Sequence, residues 1–437
     1  MAARYGRPAV ALLGLLLVIA AWNTLRYPPG LGYDAIDHIA YARSILAGHG
    51  FPDGVGEYYT PPGFYTVAAG AIWLGQKAGL GEPLRVVQLV DMVLLLATAV
   101  LLLELTRLVF PGRRRLQVAA LGLFVCGVLA PRSAAMVHPE TMSMFFTTLA
   151  LVLAASMIVR RAWTVPAAIA LGAALGAAQL VRAFSLWTFG VVLLVLAVAA
   201  ITRSDERRRI VVSLLVMVLA TGVVAGPWYG YQASRYTNPV FDRPQVQKPL
   251  WQRRPASFYA DLELRRLFTF PFKTHLNNRF VPQLYADGWG DYYGVFVWNN
   301  SKSLPDRAAR RTLSLQMFLM IVPTLLLLAG WLTLLVRSVT QERLRAAPER
   351  LLVGLLPLAG IVGMLYFTVS YPTPDGDVIK ATYMLTTVPA WALCFGYGLD
   401  GVLCRRPQLL PILVVLLGLA ALSGLRIAIY GSPLGIL

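Results

Sequence analysis

Residues 85–109 read RVVQLVDMVLLLATAVLLLELTRLV, and between Val86 and Leu103 the one charged side chain is Asp91. About twenty apolar residues wound as a helix cover the ~30 Å hydrocarbon core of a bilayer. The run lacks the period-two alternation of a barrel strand. Similar runs recur along the chain, roughly at 9–25, 117–131, 139–159, 165–181, 185–202, 210–230, 312–336, 351–370, 382–403 and 410–429. With 85–109 they make about eleven spans. Composition agrees: 57% of the 437 residues are hydrophobic and 14% charged, against roughly 25% charged in a soluble domain. The sequence therefore predicts an all-α polytopic membrane protein, a single integral domain over 1–437.

The net charge of +18 does not point to nucleic acid, because the arginines fall at alternate span ends. They cluster at Arg4/Arg7, Arg113–Arg115, Arg160/Arg161, Arg203 with Arg207–Arg209, Arg337 to Arg350, and Arg405/Arg406. An inside N-terminus puts every cluster in the cytoplasm, as the positive-inside rule requires. Anionic lipid is their partner there. Span 9–25 has the basic flank of a signal peptide, yet no small-residue cleavage site follows, so it reads as a retained helix. Cys126, Cys394 and Cys404 all lie in spans or near the cytoplasmic side, leaving no disulfide for the outer face.

On the external side two segments are too long for connectors, 27–84 and 231–311, and long ordered loops are usually functional. Within the first, Ala35–Ala47 has helical spacing and Gly63–Leu80 reads as an interfacial helix. Within the second, Ser257–Phe268 reads as an amphipathic helix with Arg265 and Arg266 on a basic face. The aromatic run Trp289–Trp298 suits the headgroup level.

Chemistry-bearing residues gather at these external junctions. Tyr33-Asp-Ala-Ile-Asp-His38 puts Asp34 and His38 one helical turn apart, with Asp37 beside them. Two carboxylates and an imidazole suit a general base; they are also ligand types for a divalent cation, though too few to be specific. A side-chain N-cap at Asp34 is the plainer alternative. His138-Pro-Glu140 opens the fourth span, where Pro and an acid also fit a first helical turn. Arg182 ends the fifth span after the run Gly172 to Gln179, and Lys380 precedes the tenth beside Asp375-Gly-Asp377. Either cation could simply snorkel, but ionisable groups at membrane depth are functional candidates. Cations beside carboxylates suit a reaction in which a phosphate leaves and a hydroxyl is deprotonated. Asp287 and Asp291 are weaker acidic candidates in the second segment, as Arg265 and Arg266 are basic ones. Asp91, Glu104 and Asp400 read as polar contacts between helices.

The order of these motifs resembles the GT-C superfamily of polyprenyl-phosphate-sugar glycosyltransferases, which includes protein O-mannosyltransferases and aminoarabinose transferases. Tyr33–His38 looks like the family's acidic motif after its first span, and Tyr59-Thr-Pro-Pro-Gly-Phe-Tyr65 like its Tyr-x-Pro-Pro segment. His138–Glu140, Leu175–Arg182, Gly226–Tyr231 with Thr237-Asn-Pro239, and Lys380–Leu385 with Pro389 are similar to its later motifs. Two positions depart from the pattern: Ala35 replaces the usual Glu, and Lys380 replaces Arg.

The resemblance implies inverting transfer of a sugar from a polyprenyl phosphate to a hydroxyl of a glycan, lipid or protein acceptor, in the plasma or inner membrane. Asp34 would be the base, Arg182 and Lys380 would meet the departing phosphate, and Asp37, His38, Tyr59, His138, Glu140 and Tyr383 would line the substrates. No obligatory cofactor is implied. A lipid or glycan transporter or flippase is the main alternative, but it should show internal repeats and midplane polar sites, and neither is visible. A surface-glycan polymerase or ligase would place its main loop late, and a non-catalytic assembly subunit would keep the fold without activity.

Overall fold

The computed structural model describes residues 2–54, 56–236, 240, 248–272, 276, 278–290, 307–372 and 379–431. Among these residues every regular element is a helix. Nine helical segments are long and apolar enough to cross a membrane: Arg7–Arg26, Arg85–Val109, Glu140–Val159, Ala183–Thr202, Arg207–Arg235, Arg310–Ser338, Glu349–Ser370, Ala381–Arg405 and Pro407–Ala428. They correspond to nine of the eleven expected spans, so the chain is an all-α integral membrane protein. The expected span at 165–181 is a shorter apolar helix, Val165–Val181. The one at 117–131 is not continuous: it breaks into Arg114–Cys126 and Leu129–Ser133, with Gly127 in an extended conformation between them.

Small residues set the closest approaches. Val165–Val181 packs on Arg207–Arg235, where a Cβ at Gly172 would collide with the Met217 carbonyl and one at Gly176 with the Val224 side chain. Gly63 does the same for the site: a Cβ there would stand 2.7 Å from the Leu180 carbonyl oxygen. Its absence lets helix Gly63–Lys77 press the Pro61–Pro62 turn against the chain just before Arg182.

The two long segments meet at one end of the bundle. The first forms Ala35–Leu46 and Gly63–Lys77, as expected. In the second, the single amphipathic helix expected at Ser257–Phe268 is instead two, Ala256–Ala260 and Leu264–Thr269, parted where Glu263 takes a left-handed φ of 43°. Helix Phe280–Gly290 follows. The polar residues expected between helices divide. Glu104 pairs with Arg4 and Arg107, and Asp400 with Arg113, whereas both oxygens of buried Asp91 lack a hydrogen-bond partner.

Candidate active site

Asp34 stands at the N-cap of helix Ala35–Leu46 but does not cap it. Its backbone is left-handed, φ 47° and ψ 25°, a region that costs most L-residues about 1 kcal/mol and that Asp tolerates better than most. The side chain turns away from the helix and accepts a hydrogen bond from Lys380 Nζ at 3.0 Å. Burial pushes the Asp34 carboxyl up, but Lys380, with smaller help from His38 and Arg182, holds it below the usual carboxylate range. Lys380 is itself 8% exposed. A carboxylate and a cation from opposite ends of the sequence thus form one partly buried pair.

A second pair lies beside it. Arg182 ends helix Val165–Val181, and its Nε donates to Glu140 Oε1 at 2.7 Å. Glu140 is fully buried in the first turn of its helix. Arg182 also comes within 3.8 Å of Glu57 Oε2 and lies over the Tyr383 ring, 5.0 Å from its centroid. Glu57 accepts from the Thr60 hydroxyl at 2.6 Å. Burial raises its carboxyl, yet His38, Arg182 and that hydrogen bond together hold it below its ordinary range. Asp37 goes the other way, raised by burial and by the nearby Glu57 and Asp34 carboxylates.

Two imidazoles form the floor. His38 and His138 are buried with ring centroids 4.7 Å apart and nearly perpendicular. His38 Nδ1 is 2.8 Å from the Tyr65 hydroxyl, and Tyr65 stacks on Tyr41 at 3.9 Å. Burial pulls His38 down to about 4 and His138 well below its ordinary value, so both rings are neutral near pH 7. Among the described residues, His38 Nε2 and His138 Nδ1 have no hydrogen-bond partner. Asp34, Asp37 and His38 do not form a metal site: among the described residues no group of three or more His, Cys, Asp or Glu could hold an ion. Asp34 is engaged by Lys380 and His38 by Tyr65.

Beside Arg182, which lines it where Asp34, Lys380 and Glu140 do not, opens a cleft with about 1000 Å³ of empty space, open solvent included. Glu57, Thr60 and Arg182 line its polar part, and Tyr59, Phe184, Trp187, Tyr366, Phe367 and Tyr383 its aromatic walls. Gly363 lets Trp187 lie flat against helix Glu349–Ser370. On the far side of the 3-10 turn Ala381–Thr387 are two apolar grooves with about 1270 and 1210 Å³ of empty space, sharing Leu123, Gly127 and Trp289.

The structure brings Asp34, Asp37, His38, His138, Glu140, Arg182 and Lys380 together, with Tyr59 and Tyr383 on the cleft wall. It does not bring in the weaker candidates in the same way. Arg266 pairs with Glu263 at 3.3 Å, and Arg265 is exposed on the same short helix. Asp287 is fully buried and accepts the backbone N–H of Ala381, so it serves the fold of the site instead of lining it. Asp291, Asp375, Asp377, Thr237–Pro239 and most of the aromatic run lie outside the described residues. Glu57 was not singled out from the sequence. Its signal is Gly48, Gly50, Gly54 and Gly56, all at positive φ, which fold the chain back over helix Ala35–Leu46 and deliver the acid.

No family model matches the sequence, and no curated protein matches it. Solved structures do. The oligosaccharyltransferase of Archaeoglobus fulgidus in its apo form is similar over 97% of this chain and 56% of that one, at 14% identity and a TM-score of 0.58. The same organism's oligosaccharyltransferase AglB, solved with an inhibitory peptide and a dolichol-phosphate, gives 12% identity, the same coverages and a TM-score of 0.55. ArnT from Cupriavidus metallidurans is similar over 91% of this chain and 79% of that one at 19% identity, but its TM-score of 0.42 is too low to argue from. The chain spans about half the length of the oligosaccharyltransferases it matches, and it shares the fold of the part it covers.

Proposed function

We propose that this protein is a membrane glycosyltransferase that moves a sugar from a polyprenyl-phosphate donor to an acceptor hydroxyl, with inversion, on the non-cytoplasmic face. The observation that carries the reading is the Asp34–Lys380 pair at 3.0 Å together with the Arg182–Glu140 pair at 2.7 Å, whose Arg182 lines an open, aromatic-walled cleft. The dolichol-phosphate held by the archaeal oligosaccharyltransferase supports the donor class. The arrangement of arginines along the sequence supports the face.

In the reaction the acceptor O–H gives its proton to the Asp34 carboxylate as its oxygen bonds the anomeric carbon. The bond from that carbon to the phosphate oxygen breaks from the opposite side, and the polyprenyl phosphate leaves with the electron pair. Lys380 keeps Asp34 ionised and oriented, and the Arg182 guanidinium meets the negative charge that grows on the leaving phosphate. Arg182 offers a planar fork suited to phosphate oxygens, with Nε already anchored on Glu140. Glu57 and the aromatic walls orient sugar hydroxyls and ring faces.

The test uses purified full-length protein, a radiolabelled polyprenyl-phosphate-sugar panel and a membrane extract as acceptor. Labelled product is expected, and Asp34→Asn should lower its formation by at least about a hundredfold, the contribution of a positioned general base. Undiminished transfer by Asp34→Asn removes Asp34 from that role, and no transfer from any donor defeats the enzyme reading.

A further inference from the structure

The second long segment, 231–311, supplies two buried charged side chains that bind backbone before and after Lys380 in sequence, Arg254 at the end of helix Glu349–Ser370 and Asp287 at Ala381. Arg254 is 7% exposed, and its guanidinium donates to the Thr368 carbonyl at 2.8 and 3.1 Å and to the Tyr371 carbonyl at 3.0 Å. Those carbonyls belong to the end of helix Glu349–Ser370, where the last turn has no partners of its own. Asp287 is fully buried and accepts the N–H of Ala381 at 2.5 Å, at the start of the turn Ala381–Thr387. The signs are complementary: a cation sits on a helix C-terminus and an anion on a helical N-terminus. Lys380 immediately precedes the second point and reaches Asp34 from there.

We propose that Arg254 and Asp287 are positioning residues that clamp the chain on both sides of Lys380 and so aim its ammonium at Asp34. The second long segment then serves the reaction by holding Lys380 in place. Tyr383, in the same turn, lies beneath both Lys380 and Arg182, with Lys380 Nζ 5.8 Å from its ring centroid. One clamp therefore fixes the partner of the base and the aromatic plate under the phosphate-facing arginine. The consequence for transfer rests on the function proposed above; the geometry of the clamp does not.

The test reads Lys380 directly. Full-length protein in detergent is treated with an amine-acylating reagent, and modification of each lysine is followed by mass spectrometry, with exposed Lys77 as internal standard. Lys380 should react slowly in the native protein. It should react at least about tenfold faster in Asp287→Ala and in Arg254→Ala, because losing a hydrogen bond to a charged group lets the flanking backbone open locally. Asp287→Asn keeps a carbonyl oxygen for the Ala381 N–H and should restore slow labelling. In the transfer assay, Asp287→Ala should also move the acid limb of the pH–rate profile upward, as Asp34 loses its cation.

Unchanged protection of Lys380 in folded Asp287→Ala and Arg254→Ala overturns the clamp, and so does equal acceleration at Lys77. Should Asp287→Ala fail to fold, Arg254→Ala decides the question alone. Faster labelling at Lys380 without any glycosyl transfer would leave the clamp standing and sink the enzyme reading.

Discussion

Asp34 and Lys380 are separated by 346 residues of chain and joined by a 3.0 Å hydrogen bond between their charged ends. The relationship explains why a residue placed to cap a helix leaves it uncapped. The carboxylate is committed to a cation delivered by a turn late in the sequence, and that cation keeps it ionised.

A pH profile follows from this pair. Asp34 has its carboxyl held below the ordinary range, so the proposed base would be lost only as pH falls through that depressed value. Lys380→Met removes the largest lowering influence and leaves burial, which raises the carboxyl, opposed only by weaker neighbours. The acid limb of kcat/KM should therefore move to higher pH, with a lower plateau. An acid limb in the same place for Lys380→Met and the native enzyme would show that Asp34 is not the titrating base.

Arg182 and Glu140 make a different prediction, because Glu140 is fully buried. Arg182→Ala strands that carboxylate and should destabilise the protein by about 3–5 kcal/mol while abolishing transfer. Adding Glu140→Gln should return most of the stability and none of the transfer. Thermal unfolding in detergent and the transfer assay, run on both variants, separate the two roles.

The buried imidazoles make stability itself depend on pH. His38 falls from 6.5 to about 4 on burial, so the folded state binds fewer protons than the unfolded chain across that window. Stability from this group is complete above about pH 6.5 and declines as pH falls toward 4, with a loss of about 2 kcal/mol by pH 5. His38→Gln should lessen the dependence between pH 7 and 5 in thermal unfolding and leave the share that His138 contributes. A native protein equally stable at both pH values would contradict a neutral buried His38.

Much of the architecture was legible because bilayer thickness imposes its length on any helix that crosses it, and apolar runs such as 85–109 have no other use. The break at Gly127 was not, because an apolar run gives no sign of where a helix stops if the residues around the break stay apolar. At the site, Asp34, Glu140, Arg182 and Lys380 could be found singly as ionisable residues at span ends. Their pairing could not, since Lys380 meets Asp34 and Arg182 meets Glu140 only once the bundle closes. Glu57 was hidden by its setting among glycines, where no periodicity marks it. Asp287 was a weaker acidic candidate, and sequence does not show that its carboxylate accepts the Ala381 N–H.

The glycine-bearing stretch that delivers Glu57 and Tyr59 is tied to the end of helix Arg207–Arg235 through Asp53. That residue pairs with Arg235 at 2.9 Å and accepts from the Tyr236 hydroxyl at 2.7 Å, while Phe51 packs edge-on against Trp228 and Tyr231. The ion pair is exposed on both sides, so dissolved ions screen it and it adds little holding strength. The rings are indifferent to ionic strength. One wall of the cleft is therefore fastened by grease more than by charge, and the conditions that loosen it are detergent and lipid composition, not salt.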